Sequence, residues 1–269
     1  MRLLSWNVQW CRGIDGRVDP KRTADEARRL ADPDVLCLQE IARNFPEMEG
    51  SAGEDQVDEL LRQWEGYQAF FAPAVDLPGE RKRRQFGNLI LSRLPVGRAM
   101  RHALPWPAAP EVQSMPRAAV EVVVEAPFGP LRVMTTHLEY YSARHRAAQI
   151  ERLRELHAEA CAAHLPVDEP GSYESYERAA SAIVCGDFNL KPEDPLHGKM
   201  LEAGFVDAWQ ALNPLQPHPH SFKLYEKHAA PYCCDYVFVT PDLVPRLRAM
   251  RIDMQTQASD HQPLILDLA

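Results

Sequence analysis

Three features are scarce or missing in this chain, and each absence argues against a class of protein. No apolar run approaches the roughly 20 residues that span a bilayer, so we predict no membrane segment. None of the six cysteines forms a Cys-x-x-Cys pair, which argues against a structural zinc site. Lysine and arginine number 30 against 38 acidic residues, and the net charge of −8 disfavours general, tight binding to nucleic acid.

The N-terminal residues and the cysteines predict a cytoplasmic location. Residues 1–7 enter a strand pattern at once and lack the basic-then-apolar order of a secretion signal. Cys37 and Cys185 lie within apolar strand runs, where a reduced thiol packs as a small hydrophobic group. The adjacent Cys233 and Cys234 are interpreted as buried structural residues.

Apolar runs, helix signals and turns predict one domain over residues 1–269, with strands and helices mixed along the chain. Strands are predicted at 2–8, 34–40, 86–94, 118–125, 131–137, 180–185, 232–240, 246–254 and 262–268. Helices are predicted from 20 to just before 32, at 56–64, from 143 to about 164, and at 194–203. A polar surface loop is predicted at 166–176. This order lacks strict strand–helix alternation and favours an α/β sandwich.

Short polar motifs stand beside many of these predicted strands, where side chains reach the rim of a sheet. They are Ser5-Trp6-Asn7, Leu38-Gln39-Glu40, Gly87-Asn88, Thr136-His137-Leu138, Gly186-Asp187-Phe188-Asn189, Asp235-Tyr236 and Ser259-Asp260-His261. The set is rich in oxygen ligands and has no thiolate pair, which suits a hard divalent cation such as Mg²⁺ or Mn²⁺.

The most informative motif is Gly186-Asp187-Phe188-Asn189, which directly follows an apolar strand. If the chain stays extended, Asp187 and Asn189 share one face while Phe188 turns the other way. Gly186 allows a bend or a close approach of the backbone. By contrast, Glu40 or His137 taken alone fits an ordinary structural role. An Asp–His pair is also typical of serine hydrolases, but no Gly-x-Ser-x-Gly motif is present.

Taken together and in this order, the motifs resemble those of the endonuclease/exonuclease/phosphatase superfamily, the DNase I-like metal-dependent phosphohydrolases. The matching segments extend from residue 3 to residue 266, and their order is more specific than any single motif. The resemblance implies an α/β (α+β) fold, a four-layer α/β/β/α sandwich of two mixed β-sheets flanked by helices.

The resemblance also implies a role for each motif residue near the metal. Glu40 would be the main ligand of Mg²⁺ or Mn²⁺, with Asn7 and Asp260 beside it. Asp187 would align or deprotonate the attacking water, and Asn189 would orient that water or contact a phosphate oxygen. The expected reaction is in-line attack of a metal-activated water on phosphorus.

Other residues are expected to bind the phosphate. His261, oriented by Asp235, would donate a hydrogen bond to it. The basic run at 81–84 is either a phosphate-attracting collar or a solvated loop. The remaining candidate phosphate contacts are His137, Asn88, Arg84 and Arg117.

The motifs leave the substrate open among DNA, RNA, inositol phosphates and small phosphodiesters. Abasic-site endonucleases of this superfamily typically carry a tyrosine where His137 stands and a leucine where Phe188 stands, which puts a base-excision role in doubt. Segments 43–55, 72–85, 104–116 and 212–231 are the candidate specificity loops. Among them, Trp106 and Tyr225 are candidate stacking residues, while His218, His220 and His228 are interpreted as incidental rather than as a second metal site.

The leading hypothesis is a cytoplasmic Mg²⁺/Mn²⁺-dependent phosphodiesterase, nuclease or phosphatase whose partner is a phosphoester, with nucleic acid as one candidate. The alternative is a noncatalytic phosphate- or partner-binding module on the same fold. No motif defines an oligomeric state.

Overall fold

The computed structural model describes residues 1–163 and 178–269 and contains two mixed β-sheets. In this part of the chain, the first sheet consists of β1 (Arg2–Asn7), β2 (Val35–Arg43), β3 (Gln68–Leu77), β4 (Arg84–Ser92), β11 (Leu247–Ile252) and β12 (Leu264–Leu268). The second consists of β5 (Val96–Ala103), β6 (Ala118–Ala126), β7 (Gly129–His137), β8 (Ala182–Asp187), β9 (Val206–Asp207) and β10 (Asp235–Val239). The spatial orders are β11-β12-β1-β2-β4-β3 and β5-β6-β7-β8-β10-β9.

Helices cover the outer faces of both sheets. They are α1 (Pro20–Leu30), α2 (Gln56–Gln63), α3 (Ala143–Ala162) and α4 (Pro195–Glu202). The short α5 (Ala208–Leu212) instead packs against the apolar cluster between the two sheets, through Ala208 and Trp209. The predicted starts of α1 and α3 are confirmed, because the side chains of Asp19 and Ser142 cap them by accepting backbone N–H groups. The predicted end of α3 near residue 164 and the predicted loop at 166–176 lie outside the described residues.

Three apolar clusters separate the layers and confirm the four-layer sandwich. Leu3, Ile90, Val122 and Val133 belong to the cluster between the two sheets. The second cluster joins α1 and α2 to the outer face of the first sheet. The third joins α3 and α4 to the outer face of the second sheet. Since a sheet must bury an apolar face, this order of layers follows from the strand patterns.

Three strands absent from the sequence prediction lie at the sheet edges: β3, β5 and the two-residue β9. β3 extends into the first part of the predicted loop 72–85 and forms one edge of the first sheet. β5 forms one edge of the second sheet. β3 and β5 are largely half-exposed; β5 lacks a clear apolar run, whereas the apolar run of β3 is interrupted by Pro73. Pro73 is tolerated in β3 because an edge strand has one side without a hydrogen-bonded neighbour.

Among the helices of residues 1–163 and 178–269, none combines the length and the apolar character that crossing a bilayer requires.

Candidate active site

Polar residues of both sheets meet at one shared edge. Asn7 ends β1, His137 ends β7 and Asp187 ends β8, while Asp235 begins β10. The parallel pairing of β7 with β8 sets His137 beside Asp187, and the antiparallel pairing of β8 with β10 sets Asp187 beside Asp235. The sheets are also linked below this edge, where Gln39 Nε2 donates to Thr135 Oγ1 at 2.7 Å.

Glu40 reaches this edge through a β-bulge. Gln39 and Glu40 together lie opposite Asn88, and Glu40 has a φ of +60°. Left-handed backbone is unfavourable for a residue with a Cβ and is typical of functional sites. The expectation that the strand ends at Glu40 is therefore wrong: β2 continues beyond the bulge to Arg43.

The backbone also turns at Asn189, whose φ is +50°. The backbone N–H of Asn189 donates to Asp187 Oδ1 at 2.9 Å, so the expectation of an extended chain through both residues is wrong. Phe188 does point away from them and is fully buried. Gly186 is required for close packing of neighbouring strands, because a Cβ there would lie 2.0 Å from the carbonyl oxygen of Thr136.

Asp187 is the central carboxylate of the cluster. Its Oδ2 accepts a hydrogen bond from Asn7 Nδ2 at 3.0 Å. The Nε2 atoms of His137 and His261 lie 3.4 and 3.6 Å from the same oxygen. Burial and the charge of Asp235 raise the pKa of Asp187 above its usual range.

His261 is held as a cation by the residues around it. Its Nδ1 lies 2.9 Å from Oδ2 of Asp235, an oxygen that also accepts a hydrogen bond from Ser221 Oγ at 2.6 Å. The imidazole stacks on Phe222 with a centroid distance of 4.3 Å. Burial alone would lower its pKa, but the charges of Asp235 and Asp187 raise the pKa of His261 to about 10.

His137 is the opposite case. Burial and the nearby Arg117 guanidinium hold the pKa of His137 well below its ordinary value, so the imidazole is neutral. Asn189 Nδ2 lies 3.0 Å from its Nε2, and Nδ1 lies 3.7 Å from Glu40 Oε1. The site therefore combines one cationic and one neutral histidine.

Glu40 and Asp260 fit a divalent cation. Both line the cavity, and burial together with the charge of Asp260 raises the pKa of Glu40 to about 7. Burial also raises the pKa of Asp260. A bound cation would relieve the repulsion between the two carboxylates. Their oxygen atoms are ligands that suit Mg²⁺ or Mn²⁺. Asn7 contacts Glu40 through Nδ2 at 3.0 Å, while its Oδ1 accepts from the backbone of Gln9.

A second group of potential ligands lies deeper. The ligand-type atoms of Asp187, Cys234, Asp235 and His261 lie within 4.8 Å of one another. Hydrogen bonds to Ser221 and His261 already engage Asp235. Burial raises the pKa of the Cys234 thiol well above its usual value, which disfavours the thiolate that a metal needs. Glu40 and Asp260 therefore remain the better cation ligands.

Besides the two histidines, three residues were predicted to contact the phosphate, and the structure places them in different surroundings. Arg117 lines the cavity, 3.6 Å from the buried carboxylate of Glu139. Asn88 is buried and donates to the carbonyl oxygen of Ala118 at 2.7 Å. Arg84 lines a different cleft and forms an ion pair with Glu47. Of the three, only Arg117 is placed to contact a substrate in this cavity.

The candidate stacking residues and loop histidines lie elsewhere. Trp106 Nε1 donates to Ser114 Oγ in a separate cleft. The hydroxyl of Tyr225 donates to the carbonyl of Met254. His218 Nε2 lies 2.8 Å from Asp207 Oδ2.

Sequence reasoning missed the apolar wall of the cavity. Trp10, Phe45, Tyr140 and Tyr141 are part of it. The two tyrosines follow the Thr136-His137-Leu138 motif almost directly, and that position was the available signal. Phe45 lies in the predicted specificity loop 43–55, and its place in the lining agrees with that prediction. Trp10 carried no signal, because it lies in an irregular segment whose course only the folded chain defines.

Two six-stranded mixed sheets between layers of helices, with catalytic-type residues at their shared edge, define a DNase I-like fold. A sequence profile described as "Endonuclease/Exonuclease/phosphatase family" matches residues 4–261, and the chain belongs to this family. Comparison with curated proteins gives no sequence match.

Solved structures similar to this chain include enzymes with different substrates. An endonuclease/exonuclease/phosphatase from Beutenbergia cavernae is 25% identical, with a TM-score of 0.74 over 100% of this chain and 71% of the other. A mannosyl-6-phosphatase from Bacteroides thetaiotaomicron is 17% identical, with a TM-score of 0.69 over 100% and 99%. A 3′ phosphatase from Neisseria, bound to a product DNA hairpin, is 18% identical, with a TM-score of 0.64 over 100% and 99%.

Proposed function

We propose that this protein hydrolyses a phosphoester with the help of a bound divalent cation, Mg²⁺ or Mn²⁺. The observation that carries the proposal is the meeting of Glu40, Asp260 and Asp187 with a cationic and a neutral histidine at one cavity. Membership of a family of nucleases and phosphatases supports the reaction class.

Glu40 and Asp260 would hold the cation, with Asn7 beside them. A cation bound there supplies Lewis acidity to the phosphoryl group. The raised pKa values of both acids support this assignment, because each carboxylate gains from a neighbouring positive charge.

Asp187 is proposed to align the attacking water and accept its proton. The raised pKa makes this buried carboxylate a stronger base than an exposed one. Asn189, which is fixed to Asp187 through its backbone N–H, would orient the same water or a phosphate oxygen with its side-chain amide. Water then attacks phosphorus in line as the ester bond breaks, without a covalent enzyme intermediate.

Three further side chains are proposed to bind the phosphate. His261 carries a proton on Nε2 because Asp235 engages Nδ1 and favours the cation, so it donates to a phosphate oxygen. Neutral His137 adds a hydrogen bond beside it, and Arg117 adds a positive charge.

We propose that residues 1–269 act as one catalytic domain, since both sheets contribute to the site. A cytoplasmic location, which rests on the cysteine pattern, is part of this proposal.

The test is a turnover screen of the purified protein with Mg²⁺ and with Mn²⁺. The substrates are bis-p-nitrophenyl phosphate, p-nitrophenyl phosphate, single- and double-stranded DNA, RNA and inositol phosphates. We expect metal-dependent hydrolysis by the wild type and by the matched control Glu47→Ala, whose exposed carboxylate faces Arg84 outside the cavity. Glu40→Ala is expected to be inactive.

The alternative noncatalytic module gives a different outcome. Phosphate would bind equally well to the wild type and to Asp187→Ala, and no substrate would be hydrolysed with either metal. That combination would overturn the hydrolase proposal.

A further inference from the structure

The cavity over the catalytic residues has two chemically different sides. Its volume is about 420 Å³, within the range of pockets that enclose small organic ligands. Carboxylates and imidazoles form one side. Rings and apolar chains form the other, notably Trp10, Phe45, Met48, Phe86, Met115 and Tyr141.

The apolar side is open rather than sealed into the core. Tyr140 and Tyr141 are 41% and 55% exposed and contact each other edge to face, with centroids 5.0 Å apart. Trp10, Phe45 and Met48 are half-buried. A group of large apolar side chains that remains accessible beside a polar site is typical of a binding surface. An apolar ligand bound in the cavity would cover these side chains.

Trp10 lies in a strained stretch of backbone that surrounding contacts hold in place. Gln9, Trp10 and Cys11 are three consecutive non-glycine residues with φ values of 46°, 43° and 59°. Left-handed backbone is unfavourable for residues with a Cβ, so such a run persists only where surrounding contacts impose it. The indole Nε1 donates to the carbonyl oxygen of Glu49 at 2.9 Å, which fixes the ring in place.

Lysine and arginine are scarce among the residues that line the same cavity. Of the described residues that line it, Arg117 is the one lysine or arginine. Its Nε is buried without a hydrogen-bond partner, next to the carboxylate of Glu139 at 3.6 Å. The neighbouring Arg83 and Arg84 are paired with Asp76 and Glu47. A nucleic-acid chain is held through many phosphate contacts, whereas this arrangement suits a single phosphate.

We propose that the substrate is a small phosphoester whose alcohol is apolar and aromatic, an inference that rests on the proposed hydrolase function. The phosphate lies against Arg117 and His261, and the aromatic group lies against Trp10 and Phe45. Hydrolysis forms a phosphorus–oxygen bond to water and breaks the bond to the aromatic alcohol. Asp187 accepts one proton of that water, and one proton is returned to the departing alcohol oxygen, so that a monoester yields phosphate and the free alcohol.

Binding of phosphonates tests the preference without a contribution from leaving-group chemistry. The Kd values of phenylphosphonate, methylphosphonate, inorganic phosphate and a short single-stranded oligonucleotide would be measured by calorimetry on the Mg²⁺-loaded protein at physiological salt. We expect phenylphosphonate to bind about tenfold to a hundredfold more tightly than methylphosphonate, because burial of the ring removes apolar surface from water. The oligonucleotide is expected to bind no more tightly than methylphosphonate.

Variants of the wall sharpen this test. Phe45→Ser is expected to weaken phenylphosphonate binding about tenfold while the Kd of inorganic phosphate stays constant. Met48→Lys is expected to weaken phenylphosphonate and to strengthen the oligonucleotide. The matched control is Trp106→Ala, which removes a 53% exposed ring outside the cavity and leaves every Kd unchanged.

Two results would overturn the inference. One is equal affinity for phenylphosphonate and methylphosphonate. The other is tighter binding of the oligonucleotide with a steep salt dependence, which would favour nucleic acid. Failure of the hydrolase proposal itself looks different: phenylphosphonate selectivity would persist, while phenyl phosphate would not be hydrolysed with Mg²⁺ or Mn²⁺. That result supports the ligand preference and rejects the catalytic role.

Discussion

Two clusters in this protein have the same ingredients, one carboxylate and two imidazoles, but they differ in how completely they are bonded. In the first, Asp207 Oδ2 lies 2.9 Å from His197 Nε2 and 2.8 Å from His218 Nε2. Oδ1 of Asp207 accepts the backbone N–H groups of Trp209 and the next residue. In the second, the imidazoles lie 3.4 and 3.6 Å from Oδ2 of Asp187, beside an open cavity.

The pKa values of the two carboxylates move in opposite directions. Burial would raise both, but hydrogen bonds from the histidines lower the pKa of Asp207 to about 2. The pKa of Asp187 is raised by burial and by Asp235. The comparison teaches that a fully bonded carboxylate stabilises the fold, whereas an incompletely bonded one retains capacity for a substrate or a proton.

The sharpest way to break the comparison is Asp187→Asn. The amide fits the same space but does not accept the proton of water, so we expect kcat to fall by about 10³-fold or more with Mg²⁺ present. The midpoint of thermal unfolding is expected to stay unchanged or to rise. Comparable activity of Asp187→Asn and the wild type would remove Asp187 from the proposed mechanism.

Asp235→Asn tests the support of the catalytic histidine. Without the carboxylate, His261 loses both the charge that favours its protonation and the partner that orients its ring, so we expect kcat to fall about 10²-fold to 10³-fold. KM is expected to change less than kcat. Ser221→Ala, which removes a hydrogen bond to the same carboxylate, should lose much less activity; equal losses would indicate a merely structural role for Asp235.

The corresponding change in the other cluster is Asp207→Asn, which we expect to reduce stability rather than activity. Because the folded pKa of Asp207, about 2, lies below the ordinary value of 3.8, the stabilisation is present above pH 3.8 and is lost as the pH falls through 2. The variant should lose on the order of 2 kcal/mol at neutral pH. Urea unfolding at pH 7, 4 and 2.5 measures the difference, which should shrink with acid.

The smallest effect is expected from the basic run at 81–84. Arg83 and Arg84 are engaged by acidic partners away from the cavity. Replacing all four residues with glutamine should change kcat/KM for a small phosphoester less than about twofold. A large loss of oligonucleotide cleavage, together with a flatter salt dependence, would restore the interpretation of this run as a phosphate-attracting collar.

The sequence was sufficient for the strands that carry the site and for the layered fold, because buried strands are short apolar runs with polar ends. The edge strand β5 escaped prediction because it lacks that pattern, and β3 escaped because Pro73 interrupts its apolar run. The identities of the site residues could be predicted because they are polar residues at the ends of these short apolar runs. Their conformations could not.

Glu40 and Asn189 illustrate this limit. The positive φ of each residue depends on tertiary contacts, such as the bulge that places two residues of β2 opposite Asn88. Local propensity opposes this conformation at Glu40; asparagine tolerates it at Asn189, but tolerance alone does not predict it. The apolar wall escaped for a related reason: Trp10, Phe45 and Tyr141 come together only when separate loops pack over the sheet edge.

The proposed catalytic residues come from distant parts of the chain, so no single half of the chain carries the whole set. A fragment ending before β8 contains Asn7, Glu40 and His137, whereas the remainder contains Asp187 and His261. Catalysis would then depend on the two fragments finding each other. The protein is thus suited to a split-enzyme format, in which restored turnover reports that two attached proteins have come together.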